Sequence, residues 1–165
     1  MKKIYRFLLL TIALPVFFIQ CATIGKQKMA ARNADTIRLW FEEGWNKHQN
    51  EALINRVFSP DWEDGNPIRG NQTAGLEGIR QTVQFYEKAF DDTHFTITHL
   101  FATDKQVALR YTVVAVHVGD AFGIPKTGKK FISTGIVLYE MDRGKIKRSW
   151  QELDLMGIVN QLKAE

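Results

Sequence analysis

The second half of the chain is four strand-like runs in succession: His94–Thr103, Lys105–Val118, Lys129–Met141 and Lys145–Asp154. Their connections are short apart from the loop Gly119–Gly128, and short connections join antiparallel neighbours. The second run is dense in β-branched residues: Val107, Thr112, Val113, Val114, Val116 and Val118. Side chains alternate along a strand, so Val107, Leu109, Tyr111, Val113, Ala115 and His117 share one face. Three helical stretches precede the strands. Met29–Gly44 sets Ile37, Trp40 and Phe41 at helical spacing; Glu51–Phe58 is stopped by Ser59-Pro60-Asp61; Leu76–Phe90 repeats Ile79, Val83, Tyr86 and Phe90. Asp61–Thr73, rich in Gly, Asn, Asp and Pro, is expected to be loop. Helices first and strands after predict an α+β domain, an antiparallel sheet with helices over one face.

The N-terminus is a separate matter. Met1–Arg6 is basic, and Phe7–Ile19 is a continuous apolar run of thirteen residues. That run is too short for a spanning helix and fits the core of a secretory signal peptide. Cys21, the only cysteine, follows directly, where a bacterial lipoprotein signal carries its acceptor. The other reading is an ordinary signal or uncleaved anchor with an incidental cysteine. The expected layout is a signal over 1–20, a linker over 21–32 and a domain over 33–165, exported to the cell envelope and held at a membrane through lipidated Cys21. The net charge of +4 is mostly this segment, since Lys2, Lys3 and Arg6 supply three of the four charges. The body is nearly neutral. Lys126, Lys129, Lys130 and Lys145, Lys147, Arg148 read as solvated clusters, and no nucleic-acid partner is expected.

Standard chemical signatures are missing: there is no GxGxxG, P-loop, HExxH, CxxC or GxSxG. His94 and His99 are expected on opposite faces of one strand, a poor ligand pair, so no metal and no cofactor is predicted. Acid/base chemistry in an apolar pocket remains. Along Lys145–Asp154, strict alternation puts Ile146, Arg148, Trp150, Glu152 and Asp154 on one face. A carboxylate beside Trp150 and an apolar helix would be partly desolvated, which raises its pKa toward working pH. Asp154 equally suits the N-cap of a helix over Leu155–Leu162. His117 is either a proton shuttle or oxyanion donor, or a structural histidine. Asn46 and His48, after Trp45, are turn and capping residues or polar groups of the pocket.

Several segments together resemble one family. They are Trp45-Asn46 with Phe58-Ser59-Pro60-Asp61; Gly75-Leu76-Glu77-Gly78-Ile79; His117-Val118-Gly119 with Gly123-Ile124-Pro125-Lys126-Thr127-Gly128-Lys129; and Gly144-Lys145-Ile146 leading to Trp150, Asp154, Gly157 and Gln161-Leu162. Over residues 35 to 162 the chain resembles the SnoaL-like polyketide cyclases, or ester cyclases, of the nuclear transport factor two-like superfamily. The resemblance implies a cone of curved antiparallel sheet with helices over its open side. It implies cofactor-free aldol- or isomerase-type chemistry on a small apolar or aromatic carbonyl compound. Asp154 would be the general acid/base, with His117 beside it, and Trp45, His48, Trp150 and Tyr111 would meet the substrate. A homodimer through the outer sheet face is a further implication. The alternative on the same fold is a non-catalytic binding lipoprotein.

Overall fold

The computed structural model describes residues 23–67 and 73–164. The expected signal segment and Cys21 lie outside them. Helix α1 covers residues 23–39 and runs directly into a π-helical turn, Trp40–Trp45. The linker expected over 21–32 is therefore helix from residue 23 onward. Ala34, Ile37, Trp40 and Phe41 recur at helical spacing and are buried, which fixes α1 on the core.

Helix α2, Asn50–Val57, passes without a loop into strand β1, Phe58–Asp64. This corrects the loop expected from Asp61. Pro60 ends the helix, as its missing N–H requires, but β1 is an edge strand, where a proline is tolerated. Helix α3 spans Gly75–Ala89, followed by β2 (Phe90–Ala102), β3 (Gln106–His117), β4 (Lys130–Asp142), β5 (Lys145–Leu153) and α4 (Leu155–Lys163).

The sheet order is β1-β5-β4-β3-β2. β2 to β5 form an antiparallel meander, as expected, but β1 adds to β5 in parallel, so the sheet is mixed. The chain must cross from β1 at one edge to β2 at the other. Four inter-strand spacings are about 19 Å, and a fifteen-residue helix is about 22 Å long. α3 therefore reaches across the sheet, and with α1 and α2 it closes the concave side. The result is an α+β cone. Its inner face along β3 is the one the alternation predicts: Val107, Leu109, Tyr111, Val113, Ala115 and His117 are all buried. The outer face leaves Phe101, Ile132 and Ile136 more than half exposed.

Four irregularities bend the ladders: two in β2, between Asp91 and His94 and between Ile97 and His99, one where β4 meets β5, and one where β1 meets β5, between Phe58 and Glu63. The bulge at Thr98 breaks strict alternation, so His94 and His99 both end up exposed on the outer side of β2 rather than on opposite faces.

Candidate functional site

The concave side encloses a cavity of about 110 Å³. Twelve aromatic side chains line it. The π-helical turn supplies three of them. Asn46 N–H donates to Phe41 O at 3.0 Å, a bond spanning five residues, and this wider turn brings Trp45 beneath Trp40 with ring centroids 5.8 Å apart. Trp45 then packs on Phe95 and Tyr86. Asn46 secures the turn with a two-pronged clamp. Its Nδ2 donates to Phe95 O at 2.9 Å and its Oδ1 accepts from Phe95 N at 2.7 Å. The residue thus fixes one wall of the cavity without entering it.

Polar groups enter from the sheet. Tyr111 of β3 is buried, and its Oη accepts from Gln151 Nε2 at 2.7 Å. The phenol reaches β5 because the intervening position on β4 is Gly135. A Cβ there would stand 2.3 Å from Tyr111 Oη and 2.4 Å from its Cζ. Among the described residues the Tyr111 hydroxyl proton has no protein acceptor, so it is free to donate into the cavity. Burial raises the pKa of Tyr111 and of Tyr139, which lies on the same wall, so both phenols stay protonated donors.

Asp64, at the end of β1, brings a carboxylate to the lining. Its Oδ1 accepts from Asn66 N at 3.1 Å. Asn66 repeats the clamp seen at Asn46: Oδ1 accepts from Gln151 N at 2.8 Å and Nδ2 donates to Gln151 O at 2.9 Å. A continuous chain of hydrogen bonds therefore joins Asp64 to the Tyr111 phenol through Asn66 and Gln151. On the same side, Trp62 Nε1 donates to Ser149 Oγ at 2.7 Å.

The structure redistributes the residues singled out in the sequence. Trp45 and Tyr111 line the cavity. Trp150 does not. Met141 pairs with Ile146 and Glu140 with Arg148, so Lys147 is an extra residue in β5. A one-residue slip exchanges the faces of everything beyond it. Ile146 faces the core, but past the bulge Ser149, Gln151 and Leu153 face the cavity, and Trp150 takes the other side. There its ring packs against Gly65, where a Cβ would come within 2.2 Å of Nε1, and the Arg148 guanidinium lies 5.6 Å from the ring centre. His48 is an exposed turn residue at φ 55° and is not part of the cavity.

Asp154 is exposed and caps α4: its Oδ1 accepts from Gly157 N at 2.9 Å. Gly157 leaves room for that carboxylate, since a Cβ there would fall 2.2 Å from Oδ2. The neighbours Leu153 and Ile158 line the cavity, and Asp154 does not. His117 is fully buried behind Phe90, ring centroids 5.7 Å apart, with Nδ1 3.0 Å from Thr127 Oγ1. Its Nε2 has no partner among the described residues. Burial lowers its pKa and favours the neutral ring, while the Asp120 carboxylate opposes the shift. Among the described residues no three His, Cys, Asp or Glu side chains converge as metal ligands would.

The family model of the SnoaL-like polyketide cyclases matches residues 35–162. The chain belongs to that family. Solved structures agree. TsrD from Streptomyces laurentii superposes with a TM-score of 0.73 at 23% identity, covering 82% of this chain and 97% of that one. A protein assigned as a polyketide cyclase from Acidithiobacillus ferrooxidans gives 0.68 at 26%, covering 80% and 94%. A SnoaL-like polyketide cyclase from Agrobacterium tumefaciens gives 0.64 at 24%, covering 76% and 94%. No curated protein matches the chain. Family membership supports cyclase- or isomerase-type function.

Sequence reasoning missed Asp64, Asn66 and Gln151. The first two lie in the stretch read as loop, although Trp62 and Asp64 alternate as two inward residues of a strand do. Strict alternation from an inward Ile146 turns Gln151 outward, and the Lys147 bulge interrupts that alternation.

Proposed function

We propose that the chain is a cofactor-free acid/base catalyst of the cyclase or isomerase type, acting on a small carbonyl compound held in the aromatic cavity. The observation that carries this is the hydrogen-bond chain from Asp64 to Tyr111, which places a carboxylate and a protonated phenol on one cavity wall. The Tyr111 Oη–H would donate to the substrate carbonyl oxygen. The Asp64 carboxylate would remove the adjacent α-proton, and the phenol would stabilise the enolate charge among mostly apolar walls. The protonated Asp64 then returns the proton, either to a different carbon, completing an isomerisation, or to the alkoxide formed when the enolate attacks a second carbonyl of the same molecule. Aromatic walls orient a planar substrate, so positioning supplies much of the rate. The acid/base role expected for Asp154 passes to Asp64, because the Asp154 carboxylate is engaged with the α4 terminus outside the lining.

Size limits the substrate. An apolar cavity of about 150 Å³ takes a benzene ring, so 110 Å³ suits a single small ring or a short chain rather than a multi-ring skeleton. The test is exchange of α-protons for deuterium in a panel of single-ring and short-chain 1,3-dicarbonyl compounds, followed by NMR. Asp64→Asn should slow exchange by about 10²-fold or more, in the range of a lost general base, and Asp154→Asn should leave it within about threefold. The reverse pattern would return the role to Asp154. Binding with no exchange in the wild type would make the chain a binding protein. Export and anchoring are proposed from the sequence of residues 1–21 alone. A mature N-terminus that is not lipid-modified Cys21 in mass spectra would end that part.

A further inference from the structure

Away from the cavity, a groove of about 680 Å³ opens between α1, α2 and the start of β5. Four cationic side chains surround it: Lys28 and Arg32 from α1, Arg56 from α2 and Lys145 from β5. Asp35 is the one acid in the lining, and it is paired with Arg38 at 3.2 Å. This concentration is not a by-product of overall charge. With Lys2, Lys3 and Arg6 set aside, nineteen basic residues face eighteen acidic ones. A nearly neutral body has gathered four cations at one place.

Two of the four are held in position. Arg32 lies over the turn at Gly144, where a Cβ would come 2.5 Å from its Nε, and Thr36 Oγ1 ties the same turn to α1 by donating to Gly144 O at 3.0 Å. Lys145 Nζ donates to Asn55 O at 2.8 Å and keeps two further N–H donors for another acceptor. Lys28, Arg32 and Arg56 have no carboxylate partner among the described residues. Like charges brought together this way repel, and an anion placed among them removes the repulsion. Leu39, half-buried, and Ala31 add apolar surface to the lining, so the groove offers hydrocarbon contact beside its cations. α1 carries two of the cations, and the thirteen-residue apolar run ends shortly before it in sequence.

We infer that this groove binds the phosphate headgroup of an anionic phospholipid, with the adjoining acyl or glycerol carbons on Leu39 and Ala31. Guanidinium groups suit this, since their fork of donors matches phosphate oxygens. The site is independent of the catalytic reading.

The experiment uses the full chain in a nonionic detergent, titrated calorimetrically with soluble dihexanoyl phosphatidylglycerol, dihexanoyl phosphatidylcholine and inorganic phosphate. The expected result is binding of the phosphatidylglycerol at least roughly tenfold tighter than of either other probe. It should weaken as salt shortens the Debye length to about 3 Å. Arg32→Gln with Arg56→Gln should weaken it at least tenfold, and the exposed Arg56→Gln alone should do so in part, which keeps the test valid if the double variant folds poorly. Equal binding of the two lipids, or wild-type affinity in the double variant, would overturn the inference. Inorganic phosphate binding as tightly as the lipid would overturn the lipid assignment and leave a simple anion site.

Discussion

Substituting Gly135 by alanine tests how the Tyr111 phenol is delivered to the cavity. Gly135 pairs with Tyr111 across β3 and β4, and the phenol lies over it on the way to Gln151. The new methyl would meet Oη at 2.3 Å, Cζ at 2.4 Å and Cε1 at 2.8 Å. All three are far inside van der Waals contact, so the ring cannot keep its place over the new methyl. The ring must tilt or β4 must shift. Overpacking of this kind costs about 1–3 kcal/mol, and loss of the Gln151 hydrogen bond adds about 1 kcal/mol. Urea denaturation should therefore show a loss of about 2–4 kcal/mol at unchanged m-value. The decisive arm is a double-mutant cycle with Tyr111→Leu, which removes the clashing end of the ring. Each substitution alone should destabilise. The pair should be less destabilised than their sum by at least about 1 kcal/mol, because the methyl then occupies vacated space. A Gly135→Ala protein within 0.5 kcal/mol of wild type, or strict additivity in the cycle, would refute the placement of the phenol, and with it the carbonyl-binding role assigned to Tyr111.

Three further outcomes follow from the same geometry. Asp154→Ala should cost about 1 kcal/mol through loss of the α4 cap, while Asp154→Asn, an equally good cap, should cost only a few tenths, both read from denaturation midpoints. Asn66→Ala removes both prongs of the clamp on Gln151 and should destabilise by about 1–3 kcal/mol, while slowing α-proton exchange more than it weakens ligand binding. For His117 the folded pKa lies below the unfolded one, so the unfolded chain binds the proton more readily. Its contribution to stability is complete above about pH 6.5 and falls as the pH drops below that value. His117→Gln should flatten the stability–pH slope in this window, seen as convergence of the two melting curves in acid.

How far the sequence could be read depended on whether local periodicity survived in the folded chain. Along β3 it did. Six alternate residues from Val107 to His117 were assigned to one face and all are buried, because β3 pairs with β4 in continuous register from Gln106 to Val116. The helices were legible for the same reason, down to the apolar spacing of Ile37, Trp40 and Phe41. Two features hid the site. β1 is a parallel edge strand made partly of residues typical of loops, which masks the alternation of Trp62 and Asp64, and Asn66 lies just beyond the strand. In β5 a single extra residue reversed the faces.

The second cause can be tested directly. If Lys147 is the unpaired residue of a bulge, deleting it leaves Ile146 opposite Met141 and Arg148 opposite Glu140 in a regular ladder. Ser149, Gln151 and Leu153 then keep the inner face, and the protein should remain folded with cavity binding intact. Deleting Gln151 instead keeps the bulge and turns the residues after it over. Glu152 would point into an aromatic cavity, where an unpaired carboxylate costs several kcal/mol or binds a proton. The two deletions remove one residue each from the same strand, so chain length and loop strain are shared. The difference between their urea midpoints therefore isolates the facing of the side chains. Equal losses would mean that Lys147 is not what turns Trp150 away from the cavity.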